Sequence, residues 1–262
     1  MKPLVVKLGG SVITDKRKKF AVKRAVLKRL AEELKVAKGP LIVVHGGGSF
    51  GHSVASRYGI AKGYKNERQL MGFSLTHRAM EKLDAYVIDA LQNAGLPAVA
   101  VQPSVCAVVR NGRIESMELT SVRKFLELGI IPVLYGDAVP DMSKGMSILS
   151  GDQLAVRLAR ELGASRVIFG ADVDGVFTAD PKVRTGAKLV RVVTPSNWRD
   201  VVKSIGEAGG PDVTGGMAKK VEELIMLAES GIEAEIVNAA KADTLKRAIL
   251  GERGLGTKIM VG

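Results

Sequence analysis

Short aliphatic runs alternating with longer segments of helical period predict an α/β fold, with helices layered on a mainly parallel sheet. Three observations carry that expectation. The strand-like runs at 4–8, 41–45, 98–101, 131–134, 166–169, 233–237 and 257–261 are compact and mostly apolar. Most are separated by stretches with apolar residues three and four apart. Several run directly into glycine-rich turns, the position where open α/β sheets collect ligands.

Each element has its own local reason. Residues 4–8 form the first strand and stop at Gly9-Gly10-Ser11. After a charged loop at 15–19, residues 21–37 place Ala25, Val26, Leu30, Leu34 and Ala37 on one helical face, and Gly39-Pro40 ends the pattern. The second strand, 41–45, meets Gly46-Gly47-Gly48, and a helix follows that triple-glycine turn. A long helix is expected over 67–94, closing at Gly95. Hairpins are expected at 107–115, turned by Asn111-Gly112, and at 138–149, turned by Ser143-Lys144-Gly145. Helices at 119–128, 152–162, 215–229 and 243–250 complete the alternation. With no Pro/Ser-rich linker and no repeat, one continuous sheet spanning 1–262 is expected, with lobes at 1–165 and 166–262.

Composition narrows the function. With 46% hydrophobic residues the chain has material for a core, which a disordered basic tail lacks. One cysteine, Cys106, excludes a disulfide framework. No apolar run approaches the roughly 18–20 residues of a membrane span, and the N-terminus has no signal layout, so a soluble cytoplasmic chain is expected. A net charge of +12 suits nucleic acid, membrane surface or small anions. Aromatic residues at 4%, with no interleaved basic–aromatic pattern, argue against nucleic acid. Three histidines without an H-E-x-x-H motif or cysteine pair give no metal site.

The turns carry the chemistry. In Lys7-Leu8-Gly9-Gly10-Ser11, glycines bring backbone N–H groups close to an anion that the Lys7 ammonium can also reach. His45-Gly46-Gly47-Gly48-Ser49-Phe50-Gly51-His52 opens a helix whose first turn favours anions, with His52 one turn in. His45 is expected to close the strand, and His77 has no motif around it. Gly46, Gly48 and Gly51 also satisfy G-x-G-x-x-G, so an NAD(P)-dependent oxidoreductase is a rival reading. That motif follows the second strand, however, and its acidic partner Glu67 falls at a helix start. In Ser150-Gly151-Asp152, the ordinary role of Asp152 is a helix N-cap. The carboxylates of Asp172-Val173-Asp174-Gly175 can hold a metal, a ribose or a tight turn. Asp212-Val213-Thr214-Gly215-Gly216-Met217 opens a helix carrying Lys220. No Walker P-loop occurs, so phosphotransfer must use separated glycine turns and several lysines.

Taken in order, KLGGS, HGGG, SGD, DVDGV and TGGM-x-x-K resemble the amino-acid kinase family across nearly the whole chain. KLGGSxxTDK and HGGGSFGH resemble its isopentenyl phosphate kinase branch, His52 being the most specific mark, with fosfomycin kinases the nearest neighbours. The resemblance implies a three-layer αβα sandwich and transfer of phosphate from ATP, with Mg²⁺, to isopentenyl phosphate in isoprenoid synthesis. It implies a homodimer through the long central helix. By the same resemblance, Lys7, Leu8, Gly9, Gly10 and Ser11 hold ATP with Gly48, Asp172, Asp174, Gly175, Gly216 and Lys220. Lys16 stabilises the transferred phosphoryl group. Gly47, Gly48 and His52 hold the acceptor phosphate with Gly151 beside it, and Asp152 orients the lysines without acting as a base. The acceptor's tail is expected against residues such as Met71, Phe73, Leu75, Met80, Leu83, Tyr86 and Val87 of the long helix.

Overall fold

The computed structural model describes residues 1–179, 181, 185–207 and 216–261. In chain order these form β1 (Leu4–Leu8), α1 (Gly10–Ile13), α2 (Arg24–Leu34), β2 (Leu41–His45), α3 (Gly48–Tyr58) and α4 (Arg68–Asn93). Next come β3 (Ala98–Ala100), α5 (Pro103–Cys106), β4 (Ala107–Arg110), β5 (Arg113–Met117), α6 (Thr120–Glu127) and β6 (Ile131–Tyr135). β7 (Asp137–Asp141), β8 (Gly145–Leu149), α7 (Gly151–Leu162), β9 (Arg166–Ala171), β10 (Val176–Phe177), β11 (Leu189–Val190) and β12 (Val192–Val193) follow. The chain continues with α8 (Trp198–Glu207), α9 (Gly216–Ala228), β13 (Ala234–Asn238), α10 (Thr244–Ile249) and β14 (Thr257–Ile259).

The central sheet runs β12-β14-β13-β9-β1-β2-β6-β3. Its strands are parallel from β13 through β3, while β14 enters antiparallel to β13. A smaller sheet, β5-β4-β7-β8, carries both expected hairpins, and among the described residues β10 and β11 form a two-stranded sheet.

Helices cover both faces of the central sheet, and alternation within the strands decides what each face buries. Leu4, Val6 and Leu8 of β1 join Val43, Val133 and Ile168 under α2, α4 and α10. Val5 points the other way, into the core with Ile42, Val44 and Phe169 under α7 and α9. Period two therefore sends Lys7 toward α7 and α9, where only 7% of it is exposed. Among the described residues, no helix is long and apolar enough to cross a membrane.

β1 sits between β2 and β9, at the point where the chain switches from building one side of the sheet to building the other. Leu8 lies opposite both His45 and Gly170, so the turns leaving β1 and β2 start level with each other and with the end of β9. That crevice is where open α/β sheets bind ligands.

Candidate active site

Glycine makes the crevice possible. A Cβ on Gly10 would fall 2.3 Å from the Gly48 nitrogen, and one on Gly151 would fall 2.9 Å from the His45 carbonyl oxygen. The first two turns and the start of α7 are thus packed backbone against backbone. Gly48 also has a φ of +48°, and a Cβ there would lie 2.1 Å from Thr14 Oγ1. The amides divide into two groups. Gly9 N–H donates to Gly170 O at 2.8 Å and Gly46 N–H to Leu8 O at 3.0 Å, tying the strand ends together. Gly10, Ser11, Gly47 and Gly48 open α1 and α3, so their N–H groups have no intrahelical acceptor. Gly9 N–H is accordingly committed to the fold and not to a phosphate. Leu8 likewise buries its side chain and uses its carbonyl on Gly46.

Beneath these turns lies a buried charge cluster. Lys7 Nζ is 2.6 Å from Asp152 Oδ1, and Lys220 Nζ pairs with the other carboxylate oxygen. The two ammonium groups lie 6.0 and 5.4 Å from the centre of the Phe169 ring. Burial alone would raise the Asp152 carboxyl, but Lys220 and Lys7 hold it far below the usual carboxylate range. Lys220 is pushed down to about 8, by burial first and also by the Lys7 charge, against the pull of Asp152. Two lysines share one carboxylate, which leaves an excess positive charge at a site already short of water. Such a site favours an incoming anion.

The Asp152 arrangement corrects the N-cap reading. α7 begins one residue earlier, at Gly151, and the cap is Ser150, whose Oγ accepts the Gln153 N–H at 3.1 Å. Relieved of that role, Asp152 turns toward the lysines.

Lys16 and His52 stand at the rim, both exposed. The loop carrying Lys16 is shaped by Asp15, whose carboxylate accepts the Arg17 backbone N–H at 3.0 Å and pairs with its guanidinium. Phe20 closes that loop with its ring edge-on to Phe50, centroids 5.5 Å apart. The His52 imidazole is lowered from its ordinary value, first because the surrounding protein strips its hydration, then by the charges of Lys7 and Lys16. The Asp152 carboxylate opposes that shift, so the His52 ring feels the charge of the cluster at the crevice floor as well as that of Lys16.

The remaining assigned residues divide. Asp172 joins the cleft by accepting a hydrogen bond from Ser11 Oγ at 2.9 Å. Asp174 instead accepts from Asn238 Nδ2 at 2.9 Å and pairs with Lys241 at 2.5 Å. Gly175, at φ +148°, packs so closely on Thr257 that a Cβ would lie 2.5 Å from its hydroxyl. Gly216 opens α9 and aims Lys220 inward from the next turn. Asp212, Val213, Thr214 and Gly215 lie outside the described residues.

A scan against family models matches residues 2–238 to the amino acid kinase family. The chain belongs to the amino acid kinase family. It is 42% identical over 98% of both chains to an isopentenyl phosphate kinase of Methanothermobacter thermautotrophicus. It is 33% identical over 95% of both chains to that of Methanocaldococcus jannaschii. A solved isopentenyl phosphate kinase structure superposes with a TM-score of 0.87 at 41% identity, covering 98% of this chain and all of that one.

Family membership and local geometry agree in disfavouring the dinucleotide reading of Gly46, Gly48 and Gly51. Gly48 is glycine because of Thr14, and Gly51 because a Cβ would lie 2.7 Å from Met80 Sδ. Glu67 precedes α4 as its N-cap residue and ends no strand.

Two supporting groups escape sequence reasoning. His45, fully buried, sets Nε2 3.1 Å from Asp84 Oδ1 and stacks on Tyr135. Thr14, also fully buried, links the first two turns. A polar residue directly after the apolar pair Val12-Ile13 is the only signal for the latter.

Proposed function

We propose that this protein transfers the γ-phosphoryl group of ATP to isopentenyl phosphate, giving ADP and isopentenyl diphosphate. The observation that carries the reading is the backbone contact of Gly10 on Gly48 over the Lys7–Asp152–Lys220 cluster. It sets two anion-holding turns side by side with a shared cationic floor.

The reaction needs a phosphate oxygen of the acceptor to attack the γ-phosphorus as the bond to the ADP oxygen breaks. An acceptor phosphate is already ionised near neutral pH, so no general base is required, and positioning with charge neutralisation supplies the catalysis. On this reading Gly10 and Ser11 N–H, Lys7 and Lys220 hold the ATP phosphates, with Asp172 and Gly216 alongside. Asp152, engaged on both oxygens by lysines, fixes their geometry. Gly47, Gly48 and His52 hold the acceptor phosphate beside Gly151, and Lys16 closes over the phosphoryl group in transit. Lysines and amides dominate the floor, a donor set that fits phosphate oxygens; Mg²⁺ carried on the ATP oxygens would add charge neutralisation there. The acceptor belongs to the 1–165 lobe and the nucleotide to the 166–262 lobe, with β1 serving both.

The five-carbon tail needs an apolar wall near α3. Met80, Leu83 and Val87 are committed to the main core, while Met71 and Leu75 face solvent. Tyr86 packs on the same core, edge-on to Phe50, which leaves Phe73, packed with Ala55, Ile60 and Met146 in a small separate cluster, and we assign the tail to it. The exposed Leu70, Met71 and Leu75 of α4 are assigned to a homodimer contact.

Coupled ADP release, measured side by side with isopentenyl phosphate, fosfomycin and N-acetylglutamate, tests the reading. Isopentenyl phosphate is expected to give the highest kcat/KM; a higher value for either competitor would overturn the acceptor assignment.

A further inference from the structure

We propose that Thr14 is a positioning residue whose hydroxyl sets the separation of the two phosphate-holding turns. The inference rests on the phosphotransfer reading above. Thr14 Oγ1 donates to Gly10 O at 2.7 Å and accepts the Ser49 N–H at 3.0 Å. A single buried oxygen therefore bonds one group from each turn. Its backbone N–H adds a second bond to Gly10 O at 3.0 Å, which fixes Thr14 on the first turn. Ser49 is the second residue of α3 and has no intrahelical acceptor, so without the hydroxyl its N–H is left buried and unpaired. The same oxygen occupies the space a Gly48 side chain would need, which couples the left-handed backbone there to Thr14.

Transfer requires reacting oxygen and phosphorus at roughly 3–3.5 Å, and misplacement by about 1 Å costs on the order of 10²-fold in rate. Thr14 touches neither phosphate on this account; it acts by holding the Gly10 and Gly48 amides in register. Threonine's methyl only fills space, so the hydroxyl is the functional part. Thr14→Ser keeps it and Thr14→Val removes it at nearly constant shape.

The test compares wild type, Thr14→Ser and Thr14→Val with ATP and isopentenyl phosphate, below the onset of melting and per folded molecule. Thr14→Val is expected to lose about 10- to 100-fold in kcat, with both KM values within about threefold and Thr14→Ser near wild type. Amide hydrogen exchange at Ser49 is followed in the same proteins without substrate. It is expected to speed at least about tenfold in Thr14→Val alone, as the loss of the hydroxyl acceptor requires. If Thr14→Val does not fold, Thr14→Ala, which relieves any packing conflict, is read the same way. Wild-type kcat in the folded variant, or equal losses in the serine and valine variants, overturns the proposal. A wild-type protein inert toward isopentenyl phosphate contradicts the functional reading instead. Ser49 exchange then decides the role of Thr14: unchanged exchange in Thr14→Val overturns it and faster exchange sustains it.

Discussion

Replacing Asp152 with asparagine removes the one carboxylate that two buried lysines share, and the consequence can be worked through Lys220. Its value of about 8 is reached with Asp152 opposing the shift. At pH 7 such a lysine is roughly 90% protonated. Deleting an opposite charge in contact lowers a neighbouring lysine by about 1–3 units. The protonated fraction at pH 7 then falls to between about one half and 1%. Because kcat/KM for ATP reports the free enzyme, its basic limb should show this directly. Wild type loses kcat/KM as pH rises through about 8, since the charged lysine binds phosphate and burial favours its neutral form. In Asp152→Asn the limb should move down by at least about one unit, so the fold-defect shrinks toward pH 6, grows through pH 8 and levels off above it. The assay is coupled ADP release at subsaturating ATP from pH 5.5 to 9. An unmoved limb, with only a uniform loss of rate, would refute the claim that Asp152 keeps Lys220 charged.

Three further outcomes follow from named contacts. Gly48→Ala places a methyl group 2.1 Å from Thr14 Oγ1 at positive φ, so activity should fall by at least about 10²-fold; near-normal turnover would exclude the close junction. His52→Ala should raise KM for isopentenyl phosphate steeply while calorimetric ATP affinity stays within about threefold, and an ATP defect of equal size would move His52 to the nucleotide side. Asp141 accepts N–H bonds from Asn111, Gly112, Ser143 and Lys144, tying the tips of both hairpins. Burial would raise its carboxyl, but these bonds hold it at about 2 against an ordinary 3.8. Its stabilisation, about 2 kcal/mol, is complete above pH 3.8 and lost as pH falls through 2. Urea unfolding of Asp141→Asn between pH 2 and 6 should show a flatter acid limb; an unchanged slope would contradict this role.

Much of the fold was legible because strand ends announce themselves. An aliphatic run stopping at consecutive glycines locates β1, β2 and their turns without any tertiary information. The hairpins followed from Asn111-Gly112 and Ser143-Lys144-Gly145, whose chemistry is local. What escaped depended on distant partners. Asp152, read locally, has the sequence of an N-cap residue; only the family resemblance set it on the lysines, and the contacts behind that role come from Lys7 on β1 and Lys220 on α9. Gly9 has the sequence of a phosphate donor, yet Gly170 on the neighbouring strand claims its N–H. Thr14 and the His45–Asp84 pair likewise act through residues remote in sequence. α8 went unread although Trp198, Val201, Val202 and Ile205 recur at helical spacing and pack on the core, whereas β12, at two residues, offers no periodicity to detect. β14 enters antiparallel to β13, a direction that its own three residues do not encode.

Phosphorus NMR of the protein incubated with ATP and isopentenyl phosphate is the most direct test of the central claim. It is predicted to show the acceptor's monophosphate resonance replaced by the coupled pair of a diphosphate, in step with ADP, and to show both changes far more slowly in His52→Ala at a subsaturating acceptor concentration. ADP rising with inorganic phosphate while the isopentenyl phosphate signal persists would contradict it.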